Sequence, residues 1–358
     1  MKKYCSENEK VIKNYIEVKR FKFAESTISQ ILKAIEKYQE FTSYKDFKQF
    51  NIKSVNHYVR HLRDSKLSVS TINGYLTSLR NFFEWLCSQT GYKSRIKLDV
   101  VELLSINNNE LNQLNKSINK DYPTLEQAKT IFSAVKINND VDRRDKALIA
   151  TAILTGMRSE SLRTLTLGAI DIQKKEIFQS VKTGVKTKFG KDIFSKIFNF
   201  DEEMRDCITD WYSYLKEIKL YNNTDPFFPK TKRRQTEDDL AFIFDEIEPD
   251  FWQSHSSISK VFKERAKQAN IRTFSPHRYR DLAVSLAIEK CNGDFYLIKA
   301  VSQHFGHEDT RLLIETYAPL RPKELSQAFE KIDNNSNDND FSEEDKQLAR
   351  KLLAKMGV

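Results

Sequence analysis

Residues 105–120 are rich in asparagine (Ser105-Ile106-Asn107-Asn108-Asn109) and lack hydrophobic periodicity, so they deny the chain one continuous core. The patterns on the two sides of this break differ. Across residues 24–86 apolar residues recur at intervals of three and four. Ile28, Ile31, Leu32, Ile35 and Tyr38 mark one amphipathic helix, and Val55, Tyr58, Val59 and Leu62 mark a second. Ser68-Val69-Ser70 opens a third, whose buried side is predicted to be Ile72, Tyr75, Leu76, Leu79, Phe82, Phe83 and Leu86. Its outer side offers Asn73, Thr77, Arg80 and Asn81. Such groups suit a DNA backbone or base edges, although an ordinary solvated helix carries them too.

After the break, Thr124 and Gln127 are spaced as a capping box, and helical periodicity runs through 131–135 and 145–155. The period then shortens. Residues 169–172, 176–181 and 192–198 read as strands of a small antiparallel sheet, followed by helices over 201–220, 256–269, 277–289 and 296–303. Residues 333–340 form a polar, low-complexity stretch that cannot build a core. A last helix follows, capped by Ser342, with Leu348, Leu352, Leu353 and Met356 on one face. The expected fold is mainly α with a small antiparallel β-sheet. A helical domain over 1–104 is joined by a linker over 105–122 to a mixed α/β domain over 123–330, and 331–358 form a polar linker and C-terminal helix.

Among 358 residues, Lys+Arg 59 against Asp+Glu 50 gives a formal charge of +9, which permits a polyanionic partner without proving one. Cys5, Cys87, Cys207 and Cys291 lie far apart, so neither zinc-finger spacing nor a disulfide framework is expected. The longest apolar runs, such as 147–154, are too short to span a bilayer, and the charged residues 1–20 do not read as a signal peptide. A reducing cytoplasm is the expected location.

Five segments hold candidate chemistry: Thr155-Gly156-Met157-Arg158, Lys186-Thr187-Lys188-Phe189-Gly190-Lys191, His277-Arg278-Tyr279-Arg280, Gly306-His307 and Thr316-Tyr317. Singly they are weak. An isolated arginine is usually a surface ion pair, and Tyr317 is one of 14 tyrosines. Arg158 gains weight by following Thr-Gly at the end of an apolar helix, and Arg280 by sharing a helical face with His277 three residues earlier. His304 and His307, with Glu308 beside them, invite a metal reading. His-x-x-His is a poor ligand motif, however, and His304 reads as structural.

Taken in order, Arg, Lys, His-x-x-Arg, Gly-His and Tyr resemble the tyrosine recombinases, the integrase-like DNA breaking-rejoining family. The resemblance covers most of the chain. Residues 125–317 look like the catalytic domain. Residues 24–86, with Ser70-Thr71-Ile72-Asn73-Gly74-Tyr75-Leu76 and Phe82-Phe83-Glu84-Trp85-Leu86, look like the helical core-binding domain.

The resemblance implies a mechanism in which Tyr317 attacks a backbone phosphorus and His277 receives its proton. Arg158 and Arg280 clamp the non-bridging oxygens, and His307 donates a hydrogen bond to them. A phenol with a pKa of about 10 needs such a base near neutrality. Two forked guanidiniums answer the charge that builds on the phosphoryl group, a task often given to Mg²⁺. No metal, other cofactor or ATP is therefore expected. A hairpin lysine protonates the leaving 5′ oxygen. Lys188 best matches the family pattern, Lys186 stands second, and Lys182 and Lys191 compete. Departures from the pattern include Ser161 where the family often has Glu, Asp281 where His is common, Tyr279 for a usual Leu, and Phe305 where Leu precedes Gly-His.

The implied partner is double-stranded DNA carrying a specific recombination site. It would be enclosed by the two domains against a basic surface that includes Asn73, Thr77, Arg80, Lys186, Lys191 and Arg272. The run Lys230-Thr231-Lys232-Arg233-Arg234 either touches phosphate or is a solvated insertion. Family members act as homo-tetramers on two DNA sites, so the C-terminal helix could dock on a neighbour or on its own body. Accessory factors encoded by a mobile element are compatible, and no membrane partner is expected. The chain is longer than minimal chromosome-dimer-resolving members, which favours a mobile-element integrase or transposase. A type IB topoisomerase or a DNA-binding regulator that lost the reaction are the alternatives. The helical N-terminal domain argues against the first and the complete residue set against the second.

Overall fold

The structure, a computed structural model, describes residues 5–107, 121–232, 234, 235, 242, 243, 245–306, 310, 311 and 314. The chain divides into two compact units, Met1–Asn119 and Lys120–Val358. The expected His307, Tyr317, polar stretch 333–340 and C-terminal helix all lie outside the described residues, as does most of the 105–120 break.

The first unit is helical: α1 (Ser6–Arg20), α2 (Glu25–Phe41), α3 (Ile52–Arg63), α4 (Val69–Leu86) and the short α5 (Leu98–Glu102). Helix starts follow local chemistry. Asn51 and Ser54 cap α3 reciprocally, and the Ser68 hydroxyl accepts from the Thr71 amide at the head of α4. The core is aromatic: Phe50 stacks on Phe83 at 4.0 Å between centroids, and Tyr38 meets Tyr58 edge-on at 5.0 Å. Helix α4 buries Ile72, Leu76, Leu79, Phe82, Phe83 and Leu86, as its periodicity requires, and leaves Tyr75 partly buried. Leu32, predicted to face the core with Ile31, is exposed instead. Helix α1 adds an unforeseen layer through Ile12, Tyr15 and Ile16.

The second unit is built around α7. Helix α6 (Leu125–Ala134) begins at the expected Thr124/Gln127 capping box. Helix α7 (Asp140–Thr155) is capped by Asn139 and buries every residue from Ala147 to Thr155. The short α8 (Ser159–Arg163) follows a tight turn. The antiparallel sheet has the order β1 (Ile170–Asp171), β2 (Glu176–Gln179), β3 (Ile193–Lys196), with Phe178 opposite Phe194. Its strands are shorter than predicted, and β2 ends early because Ser180 and Thr183 cap a 3-10 turn. Helix α9 (Glu202–Ser213) continues into a π turn, Tyr214–Ile218. Helices α10 (His255–Gln268), α11 (Pro276–Lys290) and α12 (Phe295–His304) complete the unit. Among the described residues no helix is long and apolar enough to cross a membrane.

The basic run from Lys230 is a β-ladder, β4 (Lys230–Thr231), paired with Ile247–Glu248. Lys230 meets Glu248 at 3.0 Å and Asp250 at 2.9 Å, and Lys232 meets Glu246 at 3.2 Å. Facing acids already answer these two charges, which weakens the phosphate alternative. Arg233 and the side chain of Arg234 lie outside the described residues.

A buried ionic cluster ties α7 to α10. Arg144 forks onto Asp145 at 3.1 and 2.7 Å, and Arg265 bonds Asp145 and Asp142, each at 2.7 Å. Arg144 also reaches the Pro229 carbonyl at 3.0 Å and lies over the Trp252 ring. Removing one member strands the other charges away from water. Asp145→Ala is expected to lower unfolding free energy by about 3–5 kcal/mol, read from urea denaturation followed by circular dichroism.

Candidate active site

The apolar α7 ends at Gly156, whose φ of 57° is left-handed. A Cβ there would lie 2.4 Å from Phe305 Cε1 and 3.0 Å from Ala283 Cβ, so both the turn and the close approach require glycine. The chain reverses through Met157, and Arg158 becomes the N-cap of α8. A matching event occurs at the end of α12, where Gly306 has φ of 60° and a Cβ would lie 2.6 Å from Ile193 Cδ1.

These two turns gather the arginines. Arg280 on α11 is 5% exposed and donates to the Gly156 carbonyl at 2.7 Å and to the Phe305 carbonyl. Arg158 donates to the next carbonyl along, that of Gly306, at 3.4 Å. Adjacent carbonyls at one helix C-terminus thus hold both guanidiniums, where the helix dipole places partial negative charge. Burial lowers the Arg158 pKa from its usual value. The group still stays protonated, because arginine starts so high.

His304 locks this corner. Its Nδ1 accepts from the Lys196 amide at 3.0 Å, and its Nε2 lies 2.9 Å from the Thr155 carbonyl, which makes Nε2 the protonated nitrogen. Burial, aided by the nearby Arg280 charge and opposed by the Thr155 bond, pushes its pKa down to about 4. With both ring nitrogens engaged, His304 has none left for a metal. It joins β3, α7 and α12 as a structural residue.

The remaining predicted residues are distributed as follows. His277 is exposed in the first turn of α11, one turn before Arg280. Lys182, Lys186, Lys188 and Lys191 are all exposed on the segment between β2 and β3. Lys188 lies 4.9 Å over the ring of Phe189, a non-glycine residue with φ of 62°. Arg272 is exposed, pairs with Asp121 and lies over the Phe274 ring. In the first unit, Asn73, Thr77 and Arg80 share the partly exposed side of α4, and Arg80 lies 3.7 Å from Glu84. Asp281, one of the departures, is buried and paired with Arg278 at 3.0 Å. Sequence reasoning missed the anchoring carbonyls of Gly156, Phe305 and Gly306. The glycines were a signal for them; the hydrogen bonds were not.

The model of the phage integrase family matches residues 122–324. The chain belongs to that family. A second match, to the phage integrase N-terminal SAM-like domain, covers residues 11–91. The tyrosine recombinase XerD of Haemophilus ducreyi is 25% identical to this integrase-family chain over 161 residues, 45% of this chain and 48% of that protein. The chain therefore spans about half the length of that relative. The XerH site-specific recombinase bound to difH substrate has a TM-score of 0.59 at 15% identity, over 84% of this chain and 78% of that one. The Tn1549 transposon integrase with circular intermediate DNA gives 0.59 at 14%, over 90% and 99%. A lambda integrase tetramer on a Holliday junction gives 0.58 at 13%, over 86% and 76%. At these identities the likeness establishes the fold: mostly helical, with a small antiparallel sheet.

Two outcomes test the corner. Gly156→Ala is expected to destabilise the protein by more than about 1 kcal/mol, because the added methyl strains φ and strikes Phe305; thermal unfolding reads it. His304 has a folded pKa near 4, below the ordinary 6.5, so the unfolded chain binds its proton first. Its neutral state stabilises the fold above about pH 6.5, and that contribution is lost as pH falls toward 4. The loss amounts to about 3 kcal/mol. His304→Gln should flatten the fall of stability between pH 6.5 and 4 in urea titrations; an unchanged slope would contradict the assignment.

Proposed function

We propose that the protein is a site-specific DNA recombinase, an integrase or transposase of a mobile element, that joins DNA through a 3′-phosphotyrosyl intermediate. The observation that carries this is the convergence of Arg158 and Arg280 on adjacent carbonyls, directly before His307 in the chain. Two fixed guanidiniums beside a glycine turn fit a single phosphate diester. The charge they carry is most valuable as negative charge grows on the phosphoryl oxygens.

In the proposed reaction the Tyr317 oxygen attacks phosphorus, its bond to phosphorus forms, and the phosphorus–5′-oxygen bond breaks. The phenol proton passes to His277, and a lysine between β2 and β3 protonates the leaving 5′ oxygen. Arg158, Arg280 and His307 stabilise the pentacoordinate state. A 5′ hydroxyl from a second duplex reverses the step, so the energy of the broken bond is kept in the tyrosyl ester and ATP is not used. The α4 face with Asn73, Thr77 and Arg80 would contact DNA, with Lys186, Lys191 and Arg272 adding phosphate contacts. The working assembly is a homo-tetramer on two recombination sites in the cytoplasm, without metal or cofactor.

A nicked DNA substrate carrying the recombination site tests this. The unsubstituted protein should form a covalent DNA adduct that resists denaturing gels, with or without EDTA. Tyr317→Phe should bind the same DNA within about threefold and form no adduct, since only the nucleophile is lost. An adduct with Tyr317→Phe, or a strict Mg²⁺ requirement, would refute the proposal.

A further inference from the structure

Helix α3 differs from the other helices of the first unit in its charge. It carries Lys53, Arg60 and Arg63 and no acid, whereas α4, the other candidate for DNA contact, carries only Arg80 and Glu84 and is neutral. Helices α1, α2 and α5 each contain acids. The inner side of α3 is fixed by Val55, Tyr58 and Leu62, all fully buried. Opposite them Lys53, Asn56, His57 and Arg60 follow at intervals of three, one and three residues, so they share one outward stripe, and all are exposed.

The loop before α3 adds to this stripe. Ser43 and Tyr44 both take left-handed backbone, at φ of 55° and 57°. Just past them the fully buried Asn8 donates to the Lys45 carbonyl at 2.9 Å and accepts from the Phe47 amide at 3.1 Å. Lys45, Lys53 and His57 then line one cleft. Asp46 shares that cleft, but its carboxylate accepts from the Lys48 amide at 2.8 Å and lies 4.0 Å from the Lys48 ammonium. Elsewhere cations face acids: Arg80 lies 3.7 Å from Glu84, Lys196 3.2 Å from Glu176 and Lys230 3.0 Å from Glu248. Among the described residues no carboxylate lies within ion-pair distance of Lys45, Lys53 or Arg60.

Positive charge left unanswered along one stripe attracts a polyanion. The stripe itself holds no apolar side chain, and Ile52, exposed at the start of α3, lies at its edge. It therefore lacks the apolar centre of a protein interface and the apolar face of a membrane-lying helix. Its length suits a nucleic acid. Lys53 and Arg60 are separated by about 10 Å along the helix axis. Three nucleotide steps of one B-DNA strand rise by about the same distance.

We infer that the outward side of α3, with Lys45 beside it, binds the phosphates of duplex DNA without regard to sequence, as a contact surface additional to the α4 face. The choice of DNA among polyanions rests on the recombinase reading; the surface itself rests on the charge pattern. Contacts of this kind hold and align the duplex and leave the chemical step alone.

Binding of the full chain to two labelled duplexes of unrelated sequence, followed by fluorescence anisotropy between about 50 and 200 mM salt, tests this. Lys53→Gln with Arg60→Gln should flatten the dependence of log affinity on log salt by about 2, and weaken both duplexes by the same factor within about twofold. Lys13→Gln with Lys33→Gln removes the same charge from exposed sites on α1 and α2, and should change the slope by less than about 0.5. At saturating DNA the α3 pair should form covalent adduct within about threefold of the unsubstituted rate. A slope unchanged in the α3 pair, or changed equally by the control pair, would overturn the inference and leave the recombinase reading standing. Weakening of one duplex alone would mark base readout and overturn a contact indifferent to sequence. An unsubstituted chain that binds neither duplex would overturn both readings, and that outcome is visible before any variant is made.

Discussion

Two consecutive peptide carbonyls, Phe305 and Gly306, decide the geometry on which the rest depends, because each accepts from a different guanidinium. A carbonyl at a helix C-terminus can orient an arginine fork without cancelling its charge as a carboxylate would. For that arrangement to exist, two helices must stop at left-handed residues and approach closely. Gly156 and Gly306 meet both needs, and His304 bridges the same elements with a neutral ring. The fold around them is closely packed, with α7 buried along most of its length and braced to α10 by the Asp142, Arg144, Asp145 and Arg265 cluster.

Burial takes water from the Arg158 charge and lowers its pKa, which is a cost to the fold. A phosphate diester brought to this corner would relieve that cost, and relieve it more as charge accumulates during attack. In the proposed reaction, stability and catalysis would draw on the same feature: two guanidiniums anchored on backbone carbonyls.

Much of this was legible in the residues themselves. The 3.6-residue periodicity of α4, the Thr124/Gln127 box and the switch to short strands near residue 169 follow from local rules, and the helical and mixed layers match them. The Thr-Gly end of α7 before Arg158 and the placing of His277 one turn before Arg280 on α11 were readable because they depend only on neighbours in the chain. What escaped depends on distant partners. The anchoring of Arg280 on the Gly156 and Phe305 carbonyls, the bonds of the Lys186 backbone to Ser161 and Thr164, and the pairing of Lys230 and Lys232 with facing acids are contacts no local pattern encodes. Leu32 was misjudged for a related reason: the helix stripe was wide enough for Ile28, Ile31 and Ile35 without it.

The central claim is that Arg158 and Arg280 address one phosphorus. The most direct measurement is a crystal structure of the protein with recombination-site DNA interrupted at the scissile position and vanadate in place of the phosphoryl group. The account predicts one vanadium centre bonded to the Tyr317 oxygen, with equatorial oxygens within hydrogen-bond distance of both guanidiniums while these keep their carbonyl anchors. A vanadium centre touched by only one of the two arginines, or bound to a different tyrosine, would contradict it.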